Sequence, residues 1–150
     1  MTARHHDDNC DSLRQAGAIP YRVVDDAVEI LLITSRDTGR WVIPKGYVDD
    51  GLTPSDAAIK EGFEEAGVVG DLVGETPLGF VHYPKTLKDG SIQTACIEIF
   101  PVLVRKLRKK WPEKGQRILA WFPAEDAAKM VREPELAALF LQLQESHARE

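Results

Sequence analysis

Cysteine is scarce in this chain: its 150 residues hold two, Cys10 in a polar N-terminal stretch and Cys96 in an apolar run. A small fold stapled by a disulfide framework is therefore not expected, and a reducing cytoplasm fits better. Long apolar runs are missing as well. No stretch approaches the ~20 apolar residues of a membrane span, and the opening MTARHHDDNCDS has no apolar signal core. An excess of positive charge is also lacking. The formal net charge of −5 weighs against a nucleic-acid surface as the main task. Internal repeats and low-complexity linkers are absent, which leaves one ordinary domain. A chain this long buries about 70% of its unfolded surface without staples. Residues 1–13 read as a flexible tail, with His5 and His6 in it, and 14–150 as the single domain. One basic cluster stands out, Arg105 to Lys110 (RKLRKK). It reads as a solvated strand end or loop, and less readily as a docking rim for a polyanion.

Stretches rich in Val, Ile and Leu predict strands at Gln15–Val24 and Val28–Thr34, with a hairpin at Asp25 and Asp26. Trp41–Pro44 reads as a short strand ended by its proline. Leu72–Tyr83 and Ile92–Val104 are strand-like. The Asp89-Gly90 pair between the last two is a strong hairpin signal. Arg117–Phe122 reads as another short strand, and Pro123–Val131 and Glu135–Glu145 as helices separated at Pro134. Strands, one helix, strands and then helices suggest a mixed α/β sandwich rather than a regular βαβ repeat.

The clearest helix is Thr53–Gly67. Thr53 suits the N-cap and Pro54 the first helical position. Asp56 places negative charge in the first turn, and Gly67 suits a left-handed C-cap. Within the helix Glu61, Glu64 and Glu65 are spaced i, i+3 and i+4, which predicts that they share one face. Ile59, Phe63 and Ala66 are expected on the opposite one. Three clustered carboxylates repel unless a cation sits among them, and a hard divalent ion such as Mg²⁺ prefers oxygen ligands. Taken alone, the triplet is more often just the solvated face of an acidic helix.

The surroundings change that weighting. Gly46 through Val68 reads GYVDDGLTPSDAAIKEGFEEAGV. This resembles the Nudix box, G-x5-E-x7-R-E-U-x-E-E-x-G-U, in which U is a bulky aliphatic residue. Gly46, Glu61, Glu64, Glu65, Gly67 and Val68 fall in register. Three positions depart from the pattern: Leu52 stands in place of Glu, Lys60 in place of Arg, and Gly62 in place of a bulky aliphatic. The family's Glu and Arg are thought to brace loop against helix. Asp49 or Asp50 with Lys60 is the substitute brace expected here. A close backbone approach is the expected reason for Gly62.

The resemblance implies a Nudix-type α/β/α sandwich with a mixed sheet and a phosphoanhydride hydrolase using Mg²⁺ or Mn²⁺. Gly46, through its carbonyl, and Glu61, Glu64 and Glu65 would hold the metal. Glu61, Glu64 and Glu65 are the catalytic candidates, with Glu64 or Glu65 as general base and Glu98 and Glu113 as outside candidates.

The approach Trp41-Val42-Ile43-Pro44-Lys45-Gly46, and Trp121-Phe122-Pro123 followed by Asp126-Ala127, are similar to the family's diadenosine polyphosphate and diphosphoinositol polyphosphate hydrolases. Ser35, Arg36, Arg40 and Lys45 lie near the box and are the expected phosphate-binding residues, with Arg14 and Arg117 as weaker candidates. Trp41 is read as core in preference to base-stacking. His82 and Tyr83 suit either the cleft or strand packing, and Cys96 reads as a small core residue. The resemblance also implies a small phosphorylated substrate, neither nucleic acid nor membrane as partner, and a monomer or homodimer. The alternatives are a housekeeping nucleotide or ADP-sugar pyrophosphatase, and a Nudix-fold binding protein without turnover.

Overall fold

The computed structural model describes residues 14–74 and 76–148. The expected tail, with His5, His6 and Cys10, lies outside them. Among the described residues eight strands form one mixed sheet. Strands β1 (Arg14–Val24) and β2 (Ala27–Thr34) are antiparallel neighbours. The turn between them sets Asp25 and Asp26 at φ 52° and 66°, the paired left-handed conformation that matches the twist of a two-residue hairpin. Strand β7 (Ile92–Leu107) lies parallel to β1 on its other edge, pairing Cys96–Leu103 with Arg14–Tyr21.

The edge of β1 that faces β2 is shared. Its second half pairs with β2 from Tyr21 onward. Its first half, Gln15–Gly17, pairs with β4 (Lys45–Tyr47). The expected strand Trp41–Pro44 is thus two elements. β3 (Trp41–Val42) pairs with the end of β2, Pro44 interrupts the ladder because it has no N–H to give, and β4 crosses to β1. The cavity described below opens beside this division.

The far edge of β7 is shared in the same way, by β5 (Val68–Leu72) and β6 (Gly79–Thr86). The continuous strand expected over Leu72–Tyr83 is therefore corrected to two strands with a bend between them. Pro77, in the bend, lacks the ladder donor a continuous strand needs. The β6–β7 turn is at Lys88-Asp89-Gly90-Ser91 as expected, with Gly90 at φ 86°. Strand β8 (Leu119–Pro123) completes the sheet against β2.

Helix α1 (Pro54–Ala66) covers one face of the sheet, and α2 (Ala124–Met130) and α3 (Pro134–Ala148) cover the other. Alternation along the strands assigns residues to the two sides. Ile30 and Leu32 of β2 pack with Leu136, Leu139 and Phe140 of α3. Leu31 and Ile33 pack with Ala57, Ala58 and Ala66 of α1. Burial on both faces explains why the strands read as continuous apolar runs. The architecture is the expected α/β/α sandwich. No helix among the described residues is long and apolar enough to cross a membrane. Cys96 is buried in β7 at 1% exposed, in keeping with its reading as a small core residue.

Candidate active site

Local sequence fixes α1 at both ends. Thr53 Oγ1 accepts from the Asp56 amide at 3.1 Å, and Pro54 follows it. Gly67 ends the helix at φ 71° with its amide on the Phe63 carbonyl. A side chain at Gly67 would also strike the ring of Trp111 at 2.7 Å, so conformation and space both demand glycine there. The buried side of α1 is formed by small residues, Ala57, Ala58, Gly62 and Ala66. Ile59 and Phe63, expected to lead the apolar face, are only partly buried. Small residues let the helix sit close to the sheet.

A cavity of about 410 Å³ opens between α1, the β3–β4 segment, the loop after β2 and the loop before β8. Glu61 and Glu65 stand in its wall beside Gly46, while Ser35, Arg36, Arg40, Lys45 and Arg117 also line it. The structure thus brings most of the expected site residues together. Two do not join them. Arg14 lines a separate groove with Asp49 and Asp50, and its Nη2 donates to Glu98 at 3.2 Å. Glu64 is held by Lys60, whose Nζ lies 3.1 Å away, and does not line the cavity. Among the described residues no three His, Cys, Asp or Glu side chains converge as a ready ligand set. Of the three carboxylates, Glu61 and Glu65 line the cavity, and Lys60 reaches Glu64 at 3.1 Å and Glu61 at 3.8 Å.

The Glu61–Glu65 pair is electrostatically loaded. Glu65 is 6% exposed. Burial, and then its hydrogen bond with Glu61, push its carboxyl up to about 8, while the Arg117 guanidinium opposes the rise. Two adjacent carboxylates out of water need a proton or a cation between them. The backbone leaves room on one side. A Cβ at Gly46 would lie 2.5 Å from the Glu61 carboxylate, so the cradle exists because residue 46 has no side chain. Arg117 is tied down from several directions. It donates to Glu113 through Nε and Nη2 and to the Thr34 carbonyl at 3.1 Å, with Nη2 at 3.7 Å from Glu65.

The remaining cations face the same space. Burial holds the Lys45 ammonium below its ordinary pKa; Lys85 and Arg40 act in the same direction, against Glu65 and Glu133. Lys45 Nζ lies 5.5 Å from the centre of the Tyr83 ring, and Tyr83 donates to Gln15 at 2.7 Å. Arg36 donates to Gln116 at 2.8 Å. Lys85, Tyr47, Gln15, Asp37 and Glu113 also line the cavity, and of these sequence reasoning weighed Glu113 alone. Lys85 could have been found from strand alternation, since it lies on the same face of β6 as Tyr83. His82 bonds Glu135 through Nδ1 at 3.2 Å, away from the cavity lining. Trp41 packs edge-on against Phe122 with ring centres 5.1 Å apart, in agreement with a core role.

The substitute brace is also visible. Lys60 Nζ lies 3.4 Å from Asp49 and 3.8 Å from Glu61. Leu52 packs against the apolar cluster beneath α1, so it takes no part in a charged brace. Gly62 does not need to be glycine for space, because an added Cβ would meet Val68 at 3.6 Å and Ala18 at 3.8 Å, ordinary contacts. The expected close backbone approach is corrected accordingly.

A family model for the NUDIX domain matches residues 13–143. Mitochondrial Nudix hydrolase 13 of Arabidopsis thaliana is 30% identical to this chain, over 87% of the chain and 73% of its own length. Diphosphoinositol polyphosphate phosphohydrolase 3-alpha of Mus musculus is 29% identical, over 79% of this chain and 69% of its own. Among solved structures, a binary complex of the C. elegans Ap4A hydrolase superposes with a TM-score of 0.67 at 23% identity, covering 92% of this chain and 99% of that one.

Proposed function

The chain belongs to the Nudix family, and we propose that it is a Mg²⁺-dependent hydrolase of a phosphoanhydride bond whose substrate carries an extended phosphate chain, such as a diadenosine polyphosphate or a diphosphoinositol polyphosphate. One observation carries the reading: a single cavity sets the half-buried Glu61 and buried Glu65 against Arg36, Arg40, Lys45, Lys85 and Arg117. The kinship with a diphosphoinositol polyphosphate phosphohydrolase supports the same substrate class.

The donor set suits a hard divalent ion. Glu61 and Glu65 offer carboxylate oxygens, the Gly46 backbone borders them, and Glu64 can join when Lys60 releases it. Such an ion, when bound, neutralises phosphate charge and activates water for attack on phosphorus. Arg117 acts on the protein side, fixing the Glu65 carboxylate through a guanidinium already anchored by Thr34 and Glu113. Arg40 and Lys45 bind the phosphate chain from the opposite direction, and Arg36, with a side chain 54% exposed, closes on it from the rim. Glu64 and Glu65 are the candidates for proton acceptor. Glu113 is neutralised by Arg117, and Glu98 by Arg14. Holding the reacting groups in place against fixed charges supplies most of the rate.

Phosphate release measured with Mg²⁺ over a panel of diadenosine tetraphosphate, a diphosphoinositol polyphosphate, ADP-ribose and a nucleoside triphosphate tests the proposal. The long-chain compounds are expected to give the highest kcat/KM. ADP-ribose or a nucleoside triphosphate as clearly the best substrate would favour the housekeeping pyrophosphatase. No metal-dependent turnover of any compound would favour a binding protein.

A further inference from the structure

Glu133 stands outside the Nudix box and every motif discussed so far, yet it reaches the cavity's cationic wall. It is the residue before Pro134 at the start of α3, and its carbonyl accepts from the Ala137 amide at 3.1 Å. Its side chain runs away from the helix to Arg40, where Oε2 accepts from Nη2 at 3.1 Å. Glu133 is 14% exposed and Arg40 27%, so the pair is largely out of water. Arg40 Nη1 is buried and has no hydrogen-bond partner among the described residues. Beside the pair is a cleft of about 10 Å³, closed on its other sides by Ile43, Val81 and Leu136. That is room for about one water.

A guanidinium on a flexible stem is an imprecise phosphate ligand unless something fixes its plane. The backbone of Arg40 is already fixed, because its carbonyl accepts from the Ser35 amide at 2.8 Å. Glu133 fixes the other end. An acidic residue beside a phosphate site is costly if it acts only as a charge, since it repels the ligand. Its presence at Arg40 is explained if orientation outweighs repulsion.

The geometry points to Glu133 as a positioning residue that presents the Arg40 guanidinium to the part of a phosphate chain that extends beyond the diphosphate a metal ion at Glu61 and Glu65 would hold. This deepens the proposed substrate class and rests on that reading. It also makes a prediction of sign. Removing a carboxylate that merely repels phosphate would tighten binding. Removing one that positions Arg40 would weaken it, and selectively for chains long enough to reach Arg40.

The test is calorimetric binding of the non-hydrolysable imido analogues of tripolyphosphate and of pyrophosphate to the whole chain in Mg²⁺ buffer, where nothing is hydrolysed. Glu133→Ala and Arg40→Ala are each expected to weaken binding of the tripolyphosphate analogue about tenfold, or about 1.4 kcal/mol, and to leave the pyrophosphate analogue within about twofold. The double variant is expected to bind no worse than either single one, because both remove the same contact. Glu133→Gln keeps an acceptor oxygen and is expected to restore most of the loss. Tighter tripolyphosphate binding by Glu133→Ala would overturn the inference. So would equal changes for both ligands, additive losses in the double variant, or a Glu133→Gln no better than Glu133→Ala. Thermal midpoints confirm that the variants are folded. A poorly folded Glu133→Ala leaves Glu133→Gln and Arg40→Ala to decide: unchanged tripolyphosphate binding by Arg40→Ala would overturn the inference. Because binding is read without turnover, failure here is distinct from failure of the hydrolase assignment, which would show as no Mg²⁺-dependent phosphate release by the wild-type chain.

Discussion

Gly46 lies against the carboxylate of Glu61 so closely that a methyl group on residue 46 would stand 2.5 Å from Glu61 Cδ. The two residues belong to different layers, Gly46 to β4 and Glu61 to α1, and their contact is where the sheet meets the helix. Gly46→Ala is therefore expected to leave the fold intact, because the displaced group is the end of a flexible side chain. It should nevertheless shift Glu61, and a displacement of about 1 Å at a reacting centre costs about 10²-fold in rate. A thermal midpoint close to wild type with kcat/KM lowered on that scale is the expected outcome. Wild-type activity in Gly46→Ala would contradict the role given to this contact.

Stability should depend on pH through Glu65. Its folded-state carboxyl is raised from 4.5 to about 8. The folded chain then holds a proton that the unfolded chain has lost, so stability falls as pH rises between those values. The contribution is fully present below about 4.5 and is lost by about 8. In EDTA the thermal midpoint is expected to fall across this window. Glu65→Gln, which cannot ionise, should flatten the fall, and Mg²⁺ should reverse it by taking the place of the proton. An equal pH slope in wild type and Glu65→Gln would count against the buried pair as its source.

Gly62→Ala is expected to stabilise the protein. The position is helical, its added Cβ would meet Val68 and Ala18 at ordinary contact distance, and alanine is better than glycine in a helix interior by roughly 1 kcal/mol. Chemical denaturation should show a gain of about 0.5–1 kcal/mol with unchanged activity. A loss of stability would mean that the sheet cannot yield even that contact.

Leu52→Glu should not rebuild the brace of the family pattern. Leu52 packs against the apolar cluster under α1, and Lys60 is already engaged by Asp49 and Glu64. The substitution puts a carboxylate against apolar neighbours, at a cost of about 1–3 kcal/mol. Adding Lys60→Arg should not recover it. Recovery of both stability and rate in the double variant would restore the pairing seen in the family pattern.

Much of this was legible in the sequence because local chemistry and tertiary role agree in α1. Thr53, Pro54 and Gly67 mark its ends, and the spacing of its glutamates carries the chemistry. Legibility ended where partners come from distant segments. Lys85 and Tyr47 reach the cavity through strand pairing, so their place there follows only once β4 and β6 are set in the sheet. Arg14 and Arg117 read as equally weak candidates, and only the fold separates them, because Glu98, far along the chain, takes Arg14. β5 is not expected from sequence as a separate strand, since the run that reads as strand-like starts only at Leu72. In the structure Gly70 is needed, since a Cβ there would lie 2.3 Å from the Leu103 carbonyl oxygen.

The central claim is that Glu61 and Glu65 form the metal-dependent centre of a phosphoanhydride hydrolase. It is tested most directly by measuring diadenosine tetraphosphate hydrolysis by wild type and Glu65→Gln across a Mg²⁺ titration. The account predicts no turnover in EDTA, saturable activation of the wild type by Mg²⁺, and a kcat lower by about 10²-fold or more in Glu65→Gln at saturating metal. Undiminished hydrolysis in EDTA, or the same kcat and Mg²⁺ dependence in Glu65→Gln as in wild type, would contradict it.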